Sequence, residues 1–422
     1  MQNYQQRIAD QLLTKKLRSI GAVLIQGPKA CGKTTTAKQF AASTLLLSSA
    51  QTREAAAMTL DMDPKLVLNG STPRLIDEWQ TIPRLWDAIR SELDERGLFG
   101  QFILTGSAVP ADRSEIFHSG TGRFAWLTMR PMSLFESAHS DGSVSLEALF
   151  RGEHGIFSQN PLTFSDIASI VCRGGWPQPR LLDEDDALEY VRSYLSAVAN
   201  NDISRVDGVR RDPDRVLTLL RAYARSIGSQ TSLAAIEKDI AAHEGTTDMK
   251  LFSVASYTKA LSEIFIFEDM AAWNPNLRSK TAIRTTSTRY FCDPSVAAAA
   301  LDVGPQDLTT DLKTFGFLFE NLCIRDLRVY GEALNASVFH YRDKSNLECD
   351  AVLHRRDGSF GLIEIKLGGQ QNIEQGAKTL KLLGEKLAGK KPAFMMVLIG
   401  AGGCAYRRDD GVLVVPVGCL KP

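Results

Sequence analysis

The apolar positions along this chain change period several times, and each change marks an element. Ala22–Gln26 is a near-continuous apolar run before a glycine-rich stretch, as a buried strand reads. "PRLIDEWQ" and "QFILTGSA" repeat the pattern at Leu75-Ile76 and Phe102–Leu104. Between them Ile82, Leu85, Trp86, Ile89 and Leu93 recur at helical spacing, closed by Gly97. Strand, helix and strand in that rhythm predict a parallel sheet with helices on its faces. Further on, Leu188, Val191, Tyr194, Leu195 and Val198 line one side of a helix. Three helices follow, in "DPDRVLTLLRAYARSIG", "SLAAIEKDIA" and "SVASYTKALSEIFIFEDM", with Ser253 and Ser256 as candidate caps of the third. Then comes a strand-like segment up to "CDPSVAAAAL". The last part reads as a mostly apolar helix ending at Gly331, three strands, a helix and two more strands.

The glycines after the first strand add chemistry. "GPKACGKTT" spaces Gly27 from Gly32-Lys33-Thr34 by four residues, between a strand and a helix. That is a phosphate-binding loop in its required context. Gly27, Pro28, Lys29, Ala30, Cys31, Gly32, Lys33, Thr34 and Thr35 are the candidate nucleotide-binding residues. Backbone N–H groups and the helix N-terminus would face the phosphates. Lys33 would reach the outer phosphates as a catalytic group, and Thr34 would place its hydroxyl on Mg²⁺. Asp77 and Glu78 end a strand at the edge where open α/β sheets bind ligands. Asp77 would hold the metal and Glu78 would polarise the attacking water. Thr105 and Ser107 follow apolar residues as a phosphate sensor would, although "TGS" also makes a plain turn. Arg123 and Arg130 flank an apolar strand, and either could bring charge to the γ-phosphate in cis or from a neighbouring subunit. Arg123 is preferred because Gly-Thr-Gly precedes it.

Composition limits the partners. Of 422 residues, Lys+Arg and Asp+Glu both number 49, so any surface for nucleic acid must be local. Seven scattered cysteines without a Cys-x-x-Cys pair suit a reduced, cytoplasmic protein. The N-terminus lacks the order of a signal peptide, and apolar runs break well before the ~20 residues of a membrane span. The length fits two to four domains.

"GPKACGKTT", "RLIDEWQ", "FILTGSA", "GRFAWLTMRPMSLFE" and "RGGWPQPR", in this order, resemble the bacterial and archaeal AAA-type ATPases that carry a C-terminal domain of unknown function. In that family the C-terminal domain is similar to restriction-endonuclease-like folds. The resemblance implies ATP binding and hydrolysis with Mg²⁺. The expected architecture is α/β: a P-loop AAA-type ATPase domain (1–135), a helical lid (136–200), a winged helix (201–305) and a restriction-endonuclease-like domain (306–422).

In the winged-helix reading the third helix reads DNA, and Arg278, Lys280, Arg284 and Arg289 form the wing. Arg205, Arg210, Arg211, Arg215, Arg221 and Arg225 could track phosphates, but Asp207, Asp212 and Asp214 lie among them, so packing or protein contact is the rival use.

"DAVLHRRDGSFGLIEIK" then carries a second candidate centre. Glu364 and Lys366 share one face of a strand. A three-residue loop, Arg356-Asp357-Gly358, pairs Arg355 with Ser359 and sets Asp350 opposite Glu364. Asp350 and Glu364 can bind Mg²⁺ or Mn²⁺, Glu320 can add an outer ligand, and Lys366 can orient water. The pattern resembles the Asp…Glu-x-Lys set of restriction-type nucleases, while a solvated strand face is the bland reading. The leading function is an ATPase coupled to a nuclease-like domain acting on DNA. The alternative is a nucleotide-dependent switch whose C-terminal domain binds a partner protein or nucleic acid without cutting; self-association of the chain is a separate expectation.

Overall fold

The computed structural model describes residues 4–106, 117–243, 249–275, 286–387 and 389–422. They divide into two compact units. The first comprises residues 1–131, 200–212 and 259–265, and the second comprises 132–199, 213–258 and 266–422.

In the first unit the order is α1 (Ile8–Leu17), β1 (Ala22–Gln26), α2 (Lys33–Phe40), β2 (Ser43–Leu46), α3 (Ala50–Met62), α4 (Pro64–Leu68), β3 (Arg74–Asp77), α5 (Leu85–Arg96), β4 (Phe102–Gly106) and β5 (Phe124–Thr128). The five strands form one parallel sheet in the order β2-β3-β4-β1-β5. β1 and β4 are buried almost throughout, which is why both read as unbroken apolar runs. α5 lays Leu85, Trp86, Ile89 and Leu93 into the core and stops at Gly97, whose φ is +62°. Trp86 stacks on Phe124 with ring centroids 3.9 Å apart.

In the second unit come β6 (Val144–Ser145), α6 (Leu146–Phe150), β7 (Phe157–Gln159), α7 (Phe164–Arg173), α8 (Glu184–Ala197), α9 (Pro213–Ala224) and α10 (Leu233–His243). α11 (Leu251–Glu263) follows, its residues from Lys259 on counted in the first unit, then α12 (Pro294–Leu301), α13 (Pro305–Thr310) and α14 (Leu312–Ala333). The chain ends with β8 (Ala336–Arg342), β9 (Glu348–Arg355), β10 (Phe360–Lys366), α15 (Gln370–Lys386), β11 (Phe394–Ile399), β12 (Cys404–Arg407), β13 (Leu413–Pro416) and β14 (Leu420–Lys421). A seven-stranded mixed sheet runs β7-β12-β13-β11-β10-β9-β8. β8, β9 and β10 are antiparallel, and β10, β11 and β13 are parallel. α14 outlasts its expected end, because Gly331 sits inside it facing the Ala336 carbonyl, where a Cβ would stand only 3.2 Å away. Ser253 and Ser256 lie inside α11, which starts at Leu251, so neither caps it. Among the described residues no helix is long and apolar enough to cross a membrane.

The segment expected as a lid belongs to the second unit, with α7 and α8 packed on α12, and α7 also on α13 and α14. Its anchor is Arg325 on α14, about 1 % exposed, which pairs with Asp293 at 2.8 Å and Asp326 at 2.7 Å. Asp293 also accepts the Gly175 N–H, Asp326 accepts the Leu134 N–H, and Trp176 donates to Ser295. "MRPMSLFE" and "RGGWP" are thus held together by one buried guanidinium. Gly175 must be glycine, since a Cβ there would meet the Met132 carbonyl oxygen at 2.2 Å. Breaking such a pair from one side costs about 3–5 kcal/mol.

Candidate functional sites

The first site forms where β1, β3 and β4 end side by side. The register sets Ile25 and Asp77 on either side of Thr105. Asp77 Oδ1 accepts from Thr34 Oγ1 at 2.7 Å and also from Thr105 Oγ1. The hydroxyl expected to ligate the metal, an acid and a strand-end threonine therefore meet, although 43 and 28 residues separate Thr34 and Thr105 from Asp77. Asp77 is buried, which suits a carboxylate only when its oxygens have donors or a cation. That donor set, a hydroxyl and a carboxylate, fits Mg²⁺.

Lys33 is buried and donates to the carbonyls of Gly27 at 2.9 Å and Pro28 at 2.7 Å. Gly27 has φ +146°, and a Cβ there would lie 2.0 Å from the Met129 carbonyl oxygen. The loop can pass β5 this closely only with glycine. Ala30 and Gly32 both have positive φ, which turns the loop into the start of α2. Cys31 is buried, with Sγ 3.4 Å from the Met129 carbonyl. Thr35 follows Thr34 in the first turn of α2. Lys29, at the loop tip, pairs with Asp202 at 2.5 Å. Glu78 adopts a left-handed φ of +59° directly after β3, and its Oε2 accepts from Gln80 Nε2 at 2.5 Å.

Arg123 lies elsewhere. Its carbonyl accepts the Ala22 N–H, at the start of β1. β1 and β5 are parallel, so Arg123 sits at the opposite end of the sheet from the loop, ~13–16 Å along five strand residues. Its guanidinium pairs with Asp94 at 2.8 Å. That placement sets Arg123 apart from the loop within the chain. Arg130 stands at the loop end instead, just after β5. Ser107 lies outside the described residues.

Sequence reasoning missed three supports of this loop. Arg7, 5 % exposed, donates to the carbonyls of Cys31 at 2.9 Å and Arg130 at 2.8 Å, tying the loop to the end of β5. Tyr4 reaches Thr36 on α2 at 2.9 Å. Gln80 holds Glu78. Only Gln80 left a local trace, as a polar residue two after the acidic pair.

The second site sits on β9 and β10. The hairpin has the expected register: Arg355 N–H donates to Ser359, Gly358 has φ +89°, and Ala351 pairs with Ile363. Asp350 comes one residue beyond that pair and accepts the Ile365 N–H at 2.7 Å. Lys366 Nζ lies 2.7 Å from Glu364 and 3.2 Å from Asp350, so the three groups converge. Burial works against the Lys366 ammonium, yet Asp350 and Glu364 outweigh it and hold its pKa above the ordinary value. Burial and then the charge of Asp350 push Glu364 and Glu320 above the usual carboxylate range. Glu320 accepts a hydrogen bond from Tyr290. Glu364 Oε1 is buried with no hydrogen-bond partner. An orphaned carboxylate oxygen beside a second acid fits a cation, but Lys366 already fills the gap between them. Among the described residues no three His, Cys, Asp or Glu side chains form a ready metal cluster.

The expected basic track is largely engaged within the fold. Arg211 is buried in a two-pronged pair with Asp207 at 2.8 Å and Arg225 pairs with Asp239 at 2.7 Å, while Arg205 and Arg210 are exposed; of the expected wing, Arg289 pairs with Asp269. Arg278, Lys280 and Arg284 lie outside the described residues.

Residues 19–138 match the family model of an AAA domain, so the first unit carries an AAA-type domain. Residues 165–307 and 315–420 match two domains of unknown function, DUF8612 and DUF4143. The chain is 22 % identical over 424 aligned positions to the uncharacterized proteins Rv2008c of Mycobacterium tuberculosis and Mb2031c of Mycobacterium bovis, covering 98 % of this chain and 83 % of each relative. Among solved structures, the Walker-type ATPase PABY2304 of Pyrococcus abyssi is similar with a TM-score of 0.40 and 13 % identity, over 69 % of this chain and 94 % of that one. The ORC2 protein of Aeropyrum pernix, as ADPNP and ADP complexes, is similar with a TM-score of 0.32 and 13 % identity, over 74 % and 97 %. Similarity at that level fixes neither fold nor function.

Proposed function

We propose that the chain binds and hydrolyses ATP with Mg²⁺, and that the nucleotide cycle governs a nuclease-like C-terminal domain directed at DNA. The observation that carries the first part is the convergence of Thr34, Asp77 and Thr105 beside Lys33 at the ends of β1, β3 and β4. Backbone N–H groups of the loop receive the phosphates, and the dipole of α2 adds positive potential. Lys33 exchanges two neutral carbonyl partners for the outer phosphate oxygens. Thr34 and Asp77 would hold the metal shell, and bound Mg²⁺ would offset the charge that develops on the phosphates. Glu78, held by Gln80, orients the attacking water. With Arg123 at the far end of the sheet, Arg130 becomes the preferred source of positive charge in cis. Turnover of ATP with Mg²⁺ should drop at least ~10²-fold in Lys33→Ala, as for loss of a group that stabilises transition-state charge. Retained turnover in the variant would sink the assignment.

The C-terminal reading draws on the run α14, β8-β9-β10, α15, β11 and on the meeting of Asp350, Glu364 and Lys366 on its central hairpin. Lys366 would orient water for attack on a phosphodiester. α9, α10 and α11, followed by antiparallel bridges Phe267–Phe291 and Met270–Thr288, support the winged-helix reading. A screen of single-stranded, duplex and structured nucleic acid with Mg²⁺ or Mn²⁺, with and without ATP, tests cleavage against Glu364→Gln. The switch without cleavage draws support from Lys366 bridging the two carboxylates, which leaves no ready cluster. It is preferred if no substrate is cut while ATP still turns over.

A further inference from the structure

The chain enters the first unit a second time, at residues 200–212, between α8 and α9 of the second. The entry is marked by a π-helical turn, Val198–Asp202, and a short 3₁₀ turn, Ile203–Arg205. π-Turns are uncommon and gather at functional sites. The segment is braced on itself: Arg211 grips Asp207 and the Ile203 carbonyl, and the Arg211 N–H donates to Ser204.

Asp202 behaves unlike a structural acid here. It stands at the N-cap of the 3₁₀ turn, yet its side chain makes no capping bond. Its side chain is only 12 % exposed and turns to Lys29 Nζ, on the tip of the phosphate loop. A carboxylate beside an anion site repels an incoming phosphate. It is tolerable there only while a cation stands between them.

We propose that Asp202 is a positioning residue for the phosphate loop: it holds Lys29 in the empty site, yields it to the phosphates of a nucleoside triphosphate, and so makes segment 200–212 register occupancy. The inference rests on the phosphate-loop reading above. When the ammonium turns to phosphate, Asp202 is left half-desolvated without its counter-charge, and the segment loses its tie to the loop. Because 200–212 is covalently continuous with α8 and α9, its release reaches the second unit through the chain itself.

The full-length protein tests this with a fluorescent ATP analogue and with trypsin, since Arg205 and Arg210 are exposed in the segment. ATP should speed cleavage after Arg205 and Arg210 in the wild type. Asp202→Asn should be cut quickly with or without ATP and should bind the nucleotide ~2–5-fold tighter, the range of a part-exposed ion pair. Asp202→Ala serves as the second variant and should behave the same way. Lys29→Met should weaken binding, and adding Asp202→Asn to it should recover part of the loss, because the carboxylate no longer faces the phosphates without its counter-charge. Unchanged affinity in both Asp202 variants, or cleavage that ATP leaves unchanged or slows, overturns the inference while ATP binding stands. A folded wild type that binds no ATP overturns this inference and the phosphate-loop reading together.

Discussion

Lys33 and Lys366 stand at the centres of the two candidate sites, and they are held in opposite ways. Lys33 rests on two neutral carbonyls of its own loop, Gly27 and Pro28. Lys366 is clamped between two carboxylates, Asp350 and Glu364. An anionic ligand takes the first lysine from partners that water can also satisfy, at a cost of about one hydrogen bond each, ~1 kcal/mol. A cationic ligand at the second must evict a lysine from a half-buried ion triad. The first site is poised to accept its ligand, whereas the second is latched by its own side chain.

The largest test breaks the first half of that contrast. Gly27→Ala puts a methyl group 2.0 Å from the Met129 carbonyl oxygen at a φ of +146°. A loss of at least ~3 kcal/mol is expected, seen as a lower thermal midpoint together with lost ATP binding. A variant that still binds ATP normally would mean the loop is not held as described. Next, Lys366→Met unlatches the second site. Without the ammonium the two acids repel, and the chain should lose about 3 kcal/mol, the cost of stripping a buried pair of one partner. Mn²⁺ should restore that loss, and calorimetry should find tighter Mn²⁺ binding than in the wild type. If Mn²⁺ restores nothing, the acids are structural and the switch without cleavage gains. The smallest effect concerns Glu320. Its pKa lies above the ordinary 4.5, so the folded state holds its proton longer than the unfolded chain. Stability contributed by that proton is present at low pH and is lost as pH rises through the folded pKa. Glu320→Gln should flatten this fall in an unfolding series from pH 5 upward. A wild type whose stability does not fall over that range would remove the clustered-acid electrostatics.

What could be read from the sequence follows how local each feature is. The phosphate loop was legible because nine consecutive residues carry it, and the 356–358 turn because Gly358 fixes the register. Asp77 was legible as an acid at a strand end. The place of Arg123 was not, because the side of a strand on which a flanking residue falls depends on strand direction in the folded sheet. Arg325 gave no signal at all. Its partners, Asp293 and Asp326, link it to Gly175 and Leu134, and a buried Arg on a helix looks in sequence like any surface one. The pair Lys29–Asp202 spans 173 residues and was invisible for the same reason.

The buried guanidinium of Arg325 also decides where this protein can be cut and recombined. "FAWLTMRPMSLFE" reads as one continuous stretch, and a boundary after residue 135 looks natural. Yet Met132 bonds to Gly175 and Leu134 to Asp326, so those residues travel with the C-terminal cassette. A chimera joined before Met132 keeps the staple whole. One joined at 136 carries Met132 and Leu134 away with the N-terminal part and leaves Asp326 short of a donor in the recipient.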